Sequence, residues 1–130
     1  MAANRSRTSA QNAWPRRGEI YLTALDPTIG HEIKKTRPAL VIQNDVSNQY
    51  SATTIVAPIT STVRMPLAPV HTILTADAAT GLSVVSVALL NQIRTIDRRR
   101  LMKRLGAADA QTMEQVDQAI KISLHICNTL

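Results

Sequence analysis

The stretch Thr36-Arg37-Pro38-Ala39-Leu40-Val41-Ile42 decides the fold, and it follows a polar, cationic segment, Glu32-Ile33-Lys34-Lys35. The apolar, β-branched part predicts a strand over Ala39–Gln43 in the centre of a sheet. Proline fixes its own φ and pushes the preceding residue toward extended geometry, so we expect Arg37 on a rigid strand entrance. A guanidinium binds phosphate through a planar fork, which suits a phosphodiester substrate. The alternative interpretation is a solvated loop before a strand.

Short strands are also expected on both sides of this stretch. Alternating polarity predicts a strand over Glu19–Ala24. Runs rich in β-branched residues predict three more strands, over Thr53–Ile59, Val70–Thr75 and Val84–Leu90. Pro58 indicates a sheet edge or a bulge, because proline cannot donate to a strand ladder. Ile93–Ile96 either continues the preceding strand or bends away from it.

Capping residues predict three helical segments. Asn44-Asp45 begins a short helical turn that runs to Tyr50, and Asp97 caps a helix over Arg98–Leu105 that stops at Gly106. Asp109 begins the last helix, in which apolar residues recur at helical spacing: Met113, Val116, Ala119, Ile120, Leu124 and Cys127. The elements together predict a mainly β (α+β), antiparallel domain with a C-terminal amphipathic helix.

The positive charge is unevenly distributed along the 130 residues. Four arginines and no acid in residues 1–17 supply +4 of the net charge of +6. We expect a disordered basic N-terminal tail over residues 1–15 and one domain over residues 16–130. Within the domain, six basic residues and one acid crowd residues 94–104. This local basic cluster favours a polyanionic partner such as nucleic acid.

Several classes of protein are disfavoured by composition. One cysteine excludes an internal disulfide, and the three histidines show no zinc-ligand spacing, so we expect no metal or other cofactor. No apolar segment reaches membrane-spanning length, and the N-terminus lacks the apolar region of a secretory signal. A cytoplasmic protein that does not bind membranes is the simplest interpretation. Only Trp14, Tyr21 and Tyr50 are aromatic, so RNA binding cannot depend on rows of stacked rings.

Polar residues at strand ends form the candidate site, since neither a phosphate-binding glycine loop nor a G-x-S-x-G motif is present. The candidates are Glu32, Arg37, Thr60, Ser61, Asn91, Gln92 and Arg94.

These residues belong to four motifs that resemble the MazF/PemK-type toxins of bacterial toxin–antitoxin systems. The motifs are Gly18–Tyr21 with Asp26–Glu32, Thr36–Ile42, Val56–Ser61, and Asn91–Asp97. Each motif alone is weak evidence, but four motifs in the same order form a specific signal.

The resemblance implies an SH3-like β-barrel that forms a homodimer and is inhibited by a cognate antitoxin. It also implies a sequence-specific, metal-independent endoribonuclease that causes growth arrest. The 2′-hydroxyl of single-stranded RNA would attack the adjacent phosphate and leave a 2′,3′-cyclic phosphate.

The resemblance also implies roles for individual residues. Arg37 would stabilise the phosphorane, Thr60 would hydrogen-bond a phosphate oxygen, and Glu32 would act as general acid or base. The alternatives are an ion pair of Arg37 with Glu32 or Asp26, a strand-end turn for Thr60 and a solvated acid for Glu32. The expected RNA-binding residues are His31, Lys35, Ser61, Asn91, Gln92 and Arg94. For Asn91 and Gln92, a side-chain network that braces the strand end is the alternative.

The chain departs from the PemK-like branch at two positions. In that branch a catalytic Arg and Asp stand three residues and one residue before the Gln, but here Leu89 and Asn91 occupy these positions. A mechanism that uses that acid is therefore excluded, which favours Arg37, Thr60 and Glu32 as the catalytic residues. The rival functions are a non-catalytic nucleic-acid-binding module, a gyrase poison built on the same barrel, and an inactive homologue.

Overall fold

The computed structural model describes residues 14–25 and 36–126. Its elements in chain order are β1 (Glu19–Ala24), β2 (Thr36–Val41), α1 (Asp45–Tyr50), β3 (Thr53–Thr60), β4 (His71–Leu74), β5 (Ser86–Leu89), β6 (Arg94–Asp97), a 3₁₀ turn (Arg98–Arg100), β7 (Leu101–Ala107) and α2 (Ala110–Ser123). Predictions that fall on His31, Glu32, Lys35, Cys127 or the tail up to residue 13 lie outside the described residues.

The strands within this range form one antiparallel sheet in the order β4-β5-β3-β2-β1-β7, with β6 also paired to β3. β2 lies between β1 and β3, as the apolar run predicted. β3 changes partner along its length, because Thr53–Val56 pairs with β6 and Ile59–Thr60 pairs with β5. Pro58 falls between the two partners, where a residue without an N–H is tolerated. Pro58 also pairs with Ala39 of β2 in an unshifted register, so the prediction of a sheet edge or a bulge at Pro58 is wrong.

The two ends of this sheet approach each other and give it a barrel-like shape. The Ala107 amide of β7 donates to the Ala79 carbonyl, in the β4–β5 connection, at 2.8 Å. Gly81 and Gly106 allow this approach, because a Cβ at either position would clash with the backbone of the other segment. The mainly β fold with a C-terminal helix is confirmed, and the backbone contact explains its curvature.

The apolar core lies between the sheet and α2. Val116 and Ala119 of α2 are buried, and Met113 and Ile120 pack against the same cluster. Asp109 caps α2 by accepting from the Thr112 amide at 2.8 Å, as predicted. Asn44 likewise caps α1, where its side chain accepts from the Ser47 amide at 2.8 Å. Leu124 is 52 % exposed, so the apolar stripe of α2 leaves the core before its predicted end.

The helix predicted over Arg98–Leu105 is wrong. Asp97 caps only the 3₁₀ turn Arg98–Arg100, and the chain then continues as β7, which pairs with β1. Pairing with β1 outweighs the helical propensity of so short a segment, which buries little as a helix. The open question about Ile93–Ile96 is also settled, because β6 bends away from β5 and pairs with β3.

Candidate functional site

Arg37 and Thr60 lie at neighbouring ends of β2 and β3. The two strands pair as Ala39↔Pro58, Leu40↔Ala57 and Val41↔Val56. Continuing this register by two residues brings Arg37 opposite Thr60. Directly opposed residues in an antiparallel pair point to the same face, with their Cβ atoms about 5 Å apart. The fold therefore brings together the two residues that the sequence analysis put first.

The guanidinium of Arg37 is half-buried and incompletely paired. Its Nε is buried and has no hydrogen-bond partner within the described residues. Burial lowers the pKa of Arg37 below its ordinary value, yet an arginine remains cationic at any working pH. A buried donor without a partner is costly, and a bound anion would satisfy it. No ion pair occupies this group among the residues described, and the alternative of an ion pair with Glu32 or Asp26 involves residues outside that range.

A cleft of about 420 Å³ adjoins Arg37. Its lining comes from the starts or ends of β2, β3, β5 and β7 and from the segment before β5: Arg37, Pro38, Ile59, Ser61, Gly81, Leu82, Ser83, Val84, Ser86 and Leu105. Clefts that bind small ligands have volumes of about 300–1,000 Å³, so this one is large enough for a nucleotide. Arg37 and Ser61 were predicted from the sequence as site residues, whereas the lining residues between Gly81 and Ser86 were not. No sequence signal distinguishes them, because only the curvature of the sheet brings them to Arg37.

The hydroxyl of Thr60 makes the strand-end turn that was the alternative to a phosphate contact. Its oxygen accepts from the Thr62 amide at 3.1 Å. A hydroxyl has one proton to donate besides its lone pairs. The turn therefore fixes the oxygen of Thr60, and no hydrogen bond within the described residues uses its proton. The two interpretations are compatible.

Asn91 and Gln92 are exposed in the turn between β5 and β6. The Gln92 backbone amide donates to the Leu89 carbonyl at 3.1 Å. Neither side-chain amide is hydrogen-bonded to another residue in the described ranges, so the bracing network expected as the alternative is not seen there. Both amides are accessible to a nucleobase.

The basic cluster that dominates the charge of the domain is largely used inside the chain. Arg98 donates to the Ser51 carbonyl at 3.0 Å and to the Asn48 carbonyl at 3.4 Å, at the C-terminus of α1. Arg99 forms a two-point ion pair with Asp97, with both bonds at 3.0 Å. Hydrogen bonds from the side chain and backbone of Arg99, together with its charge, hold the pKa of Asp97 at about 2.

A second internal network joins β1 and β7. The buried carboxylate of Glu19 accepts from Arg104 Nε at 2.7 Å, from the Tyr21 hydroxyl at 3.1 Å and from the Arg16 amide at 2.7 Å. The guanidinium of Arg16 stacks on the Trp14 ring, with 4.3 Å between its central carbon and the ring centroid. These contacts hold the start of the domain against the sheet.

The described residues hold neither a metal-binding cluster nor a membrane-spanning helix. In residues 14–25 and 36–126, no three histidine, cysteine or acidic side chains lie close enough to hold a metal ion. None of the helices in that part of the chain is both long and apolar enough to cross a membrane.

The fold belongs to a class of structures already known. MazF from Deinococcus radiodurans superposes with a TM-score of 0.72 and 27 % identity over 87 % of this chain and 98 % of MazF. A MazE–MazF structure from Deinococcus radiodurans gives a TM-score of 0.70 and 26 % identity over 87 % of this chain and 97 % of the matched chain. Solved structures thus place the domain among MazF-like β folds.

Sequence comparison identifies the family. Endoribonuclease EndoA of Bacillus subtilis (strain 168) is 43 % identical over 109 residues, which are 84 % of this chain and 93 % of EndoA. Residues 16–124 match the family described as PemK-like, MazF-like toxins of type II toxin–antitoxin systems. The chain belongs to this toxin family, and the resemblance inferred from the four motifs is confirmed.

Proposed function

We propose that this chain is a toxin endoribonuclease that cleaves single-stranded RNA at specific short sequences without a metal ion. The observation that carries the proposal is the buried Nε of Arg37, which has no hydrogen-bond partner within the described residues. It lies on a strand whose register, continued by two residues, brings Arg37 opposite Thr60. The 43 % identical relative is named as an endoribonuclease, which supports the class of reaction. A cation fixed beside a hydroxyl donor suits a phosphate that gains charge in the transition state.

The proposed reaction is an internal transfer within the RNA. The 2′-oxygen attacks the adjacent phosphorus and loses its proton to a base, while the bond from phosphorus to the 5′-oxygen breaks. The departing 5′-oxygen takes up a proton, and the products are a 2′,3′-cyclic phosphate and a 5′-hydroxyl. Arg37 stabilises the extra negative charge of the phosphorane, and Thr60 donates to one of its oxygens. An arginine is a poor base, so the electrostatic role suits Arg37 better than proton transfer.

The other residues proposed for the site serve proton transfer and recognition. Glu32 is the proposed general acid or base, and His31 and Lys35 are proposed RNA contacts; all three lie outside the described residues. Asn91 and Gln92 present amides that read the edges of unstacked bases. Ser61 lines the cleft beside Arg37 and contacts the RNA there.

Two macromolecular partners complete the proposal. An antitoxin is expected from membership of a type II toxin–antitoxin family, and the MazE–MazF structure shows such a pairing for a similar chain. We propose that the antitoxin blocks access of RNA to the cleft, and that the chain acts as a homodimer. Analytical ultracentrifugation of the purified chain, alone and with its antitoxin, measures both assemblies.

The direct test is incubation of a long single-stranded RNA with the purified chain in EDTA. We expect discrete fragments with 5′-hydroxyl and 2′,3′-cyclic phosphate ends, and sequencing of the 5′ ends gives the cleavage motif. The Arg37→Ala variant, prepared identically, controls for contaminating ribonucleases and should give no fragments.

Three outcomes would contradict the proposal. Intact RNA together with inhibition of gyrase would identify a gyrase poison. Intact RNA together with tight RNA binding would identify a non-catalytic module. Fragments that appear only when a divalent metal is restored would refute the metal-independent mechanism.

A further inference from the structure

Two arginines outside the Arg37–Thr60 pair converge on the end of β1. Arg94 Nη1 donates to the Leu25 carbonyl at 3.1 Å, and Arg100 Nη1 donates to the Ala24 carbonyl at 3.1 Å. The donors are 69 and 76 residues from their acceptors along the chain. β6 and the 3₁₀ turn, both far from β1 in the sequence, therefore hold two neighbouring carbonyls at the end of β1.

These carbonyls lie at the end of β1, where its backbone pairing with the neighbouring strands ends. Ala24 is the last residue of β1, and Leu25 follows it. Backbone carbonyls beyond the end of a ladder need another donor or water. Hydrogen bonds from a charged donor are stronger than those between neutral groups, so the two guanidinium groups fix this strand end firmly.

The strand end held in this way is the partner of the segment that carries Arg37. Thr23 pairs directly with Arg37, and Ala24 pairs with Thr36. Thr23 is completely buried, and its hydroxyl donates to the Tyr21 carbonyl at 2.9 Å. Displacement of Ala24 and Leu25 would therefore loosen the β1–β2 pairing at the position of Arg37.

We infer that Arg94 and Arg100 are positioning residues that hold the end of β1 and, through the Thr23–Arg37 pair, fix the direction of the Arg37 guanidinium. The inference rests on the proposed role of Arg37 in cleavage. It gives Arg94 a task different from the RNA contact expected from the sequence. A group that directs a catalytic cation affects the chemical step, whereas a phosphate contact affects binding and its salt dependence.

The experiment compares Arg94→Ala and Arg100→Ala with Arg99→Ala, which removes one positive charge from an exposed ion pair nearby. Single-turnover cleavage rates, RNA affinity at several salt concentrations and amide hydrogen exchange are measured for each. We expect rates about 10- to 100-fold lower for the two positioning variants, with affinity close to that of Arg99→Ala. Exchange should become faster at Ala24, Leu25, Thr36 and Arg37. If an alanine variant does not fold, Arg94→Met or Arg100→Met replaces it with the same expected result, because methionine keeps much of the side-chain length but has no N–H donor.

A double-mutant cycle with Arg37→Lys identifies the route of the effect. If Arg94 acts through Arg37, Arg94→Ala should lower the rate much less in the Arg37→Lys background than in the wild type. If the rate losses of Arg94→Ala and Arg37→Lys are additive, the inference about Arg94 is overturned while the proposed role of Arg37 stands. A loss of RNA affinity with a shallower salt dependence and an unchanged rate would also overturn it, since that is the behaviour of a phosphate contact. A wild-type rate for Arg37→Lys and Arg37→Ala would instead overturn the proposed role of Arg37, and the inference with it.

Discussion

The Arg98–Arg100 run and Arg37 show two opposite uses of the same side chain. All three guanidinium groups of the run bind inside the chain. Arg98 binds carbonyls at the C-terminal end of α1, Arg99 binds Asp97, and Arg100 binds the Ala24 carbonyl. Arg37 is a single arginine, yet its buried Nε has no partner within the described residues. A high density of positive charge in a sequence therefore does not locate a phosphate-binding site. An arginine that lies beside a cleft with a buried Nε left unpaired within the described residues is the better indicator.

The largest expected effect separates Arg37 from the run directly. Arg37→Ala should lower the single-turnover cleavage rate by about 100- to 1000-fold, because it removes a preorganised donor to the phosphorane. Arg99→Ala removes the same charge from an exposed ion pair and should change the rate by less than about twofold. Circular dichroism should show both variants folded. Equal losses in the two variants would mean that net charge, and not placement, governs cleavage.

Thr60 tests whether the hydroxyl opposite Arg37 takes part in the same step. Thr60→Val keeps the branched shape and removes the hydroxyl, and we expect a rate about 10- to 100-fold lower with RNA affinity nearly unchanged. Thr60→Ser restores the hydroxyl and should recover most of the rate. If valine and serine variants behave alike, the hydroxyl serves only the turn to Thr62.

Substitution of Arg98 tests whether an arginine of the run stabilises the fold without taking part in cleavage. Arg98→Ala removes charged hydrogen bonds to the Ser51 and Asn48 carbonyls, so the free energy of unfolding should fall by about 2 kcal/mol. The cleavage rate of the folded variant should stay within about twofold of the wild-type rate. Urea denaturation measures the first quantity and single-turnover kinetics the second. A large loss of rate without a loss of stability would instead place Arg98 on the RNA.

The smallest effect concerns the ion pair between Asp97 and Arg99. The pKa of Asp97 in the folded chain is about 2, below the unfolded value of about 3.9. A carboxylate with a depressed pKa stabilises the fold above the unfolded pKa and loses that contribution as the pH falls through the folded value. Asp97→Asn keeps the capping oxygen without the charge. The difference in melting temperature between wild type and Asp97→Asn should therefore shrink between about pH 4 and pH 2, and a constant difference would contradict the assignment.

Local signals in the sequence predicted much of this fold and part of the site. Asn44 and Asp109 were recognisable as helix caps, and the run after Pro38 was recognisable as a central strand, because these signals act over a few residues. The helix assigned to Arg98–Leu105 failed because β7 depends on pairing with β1, about 80 residues earlier in the chain. Ser83 and Ser86 could not be connected to Arg37, since only the contact between the β4–β5 connection and β7 brings them there. The internal partners of Arg94, Arg98 and Arg100 were equally hidden, because backbone carbonyls leave no trace in a sequence.

The most direct measurement of the central claim uses RNA with sulfur in place of one non-bridging oxygen at the mapped scissile phosphate. Arg37 contacts that phosphate in our account, so one of the two phosphorothioate diastereomers should be cleaved several-fold more slowly than the other by the wild-type chain. The preference should disappear in Arg37→Ala and persist in Arg99→Ala. The same preference in Arg37→Ala as in the wild type would show that Arg37 does not contact the reacting phosphate.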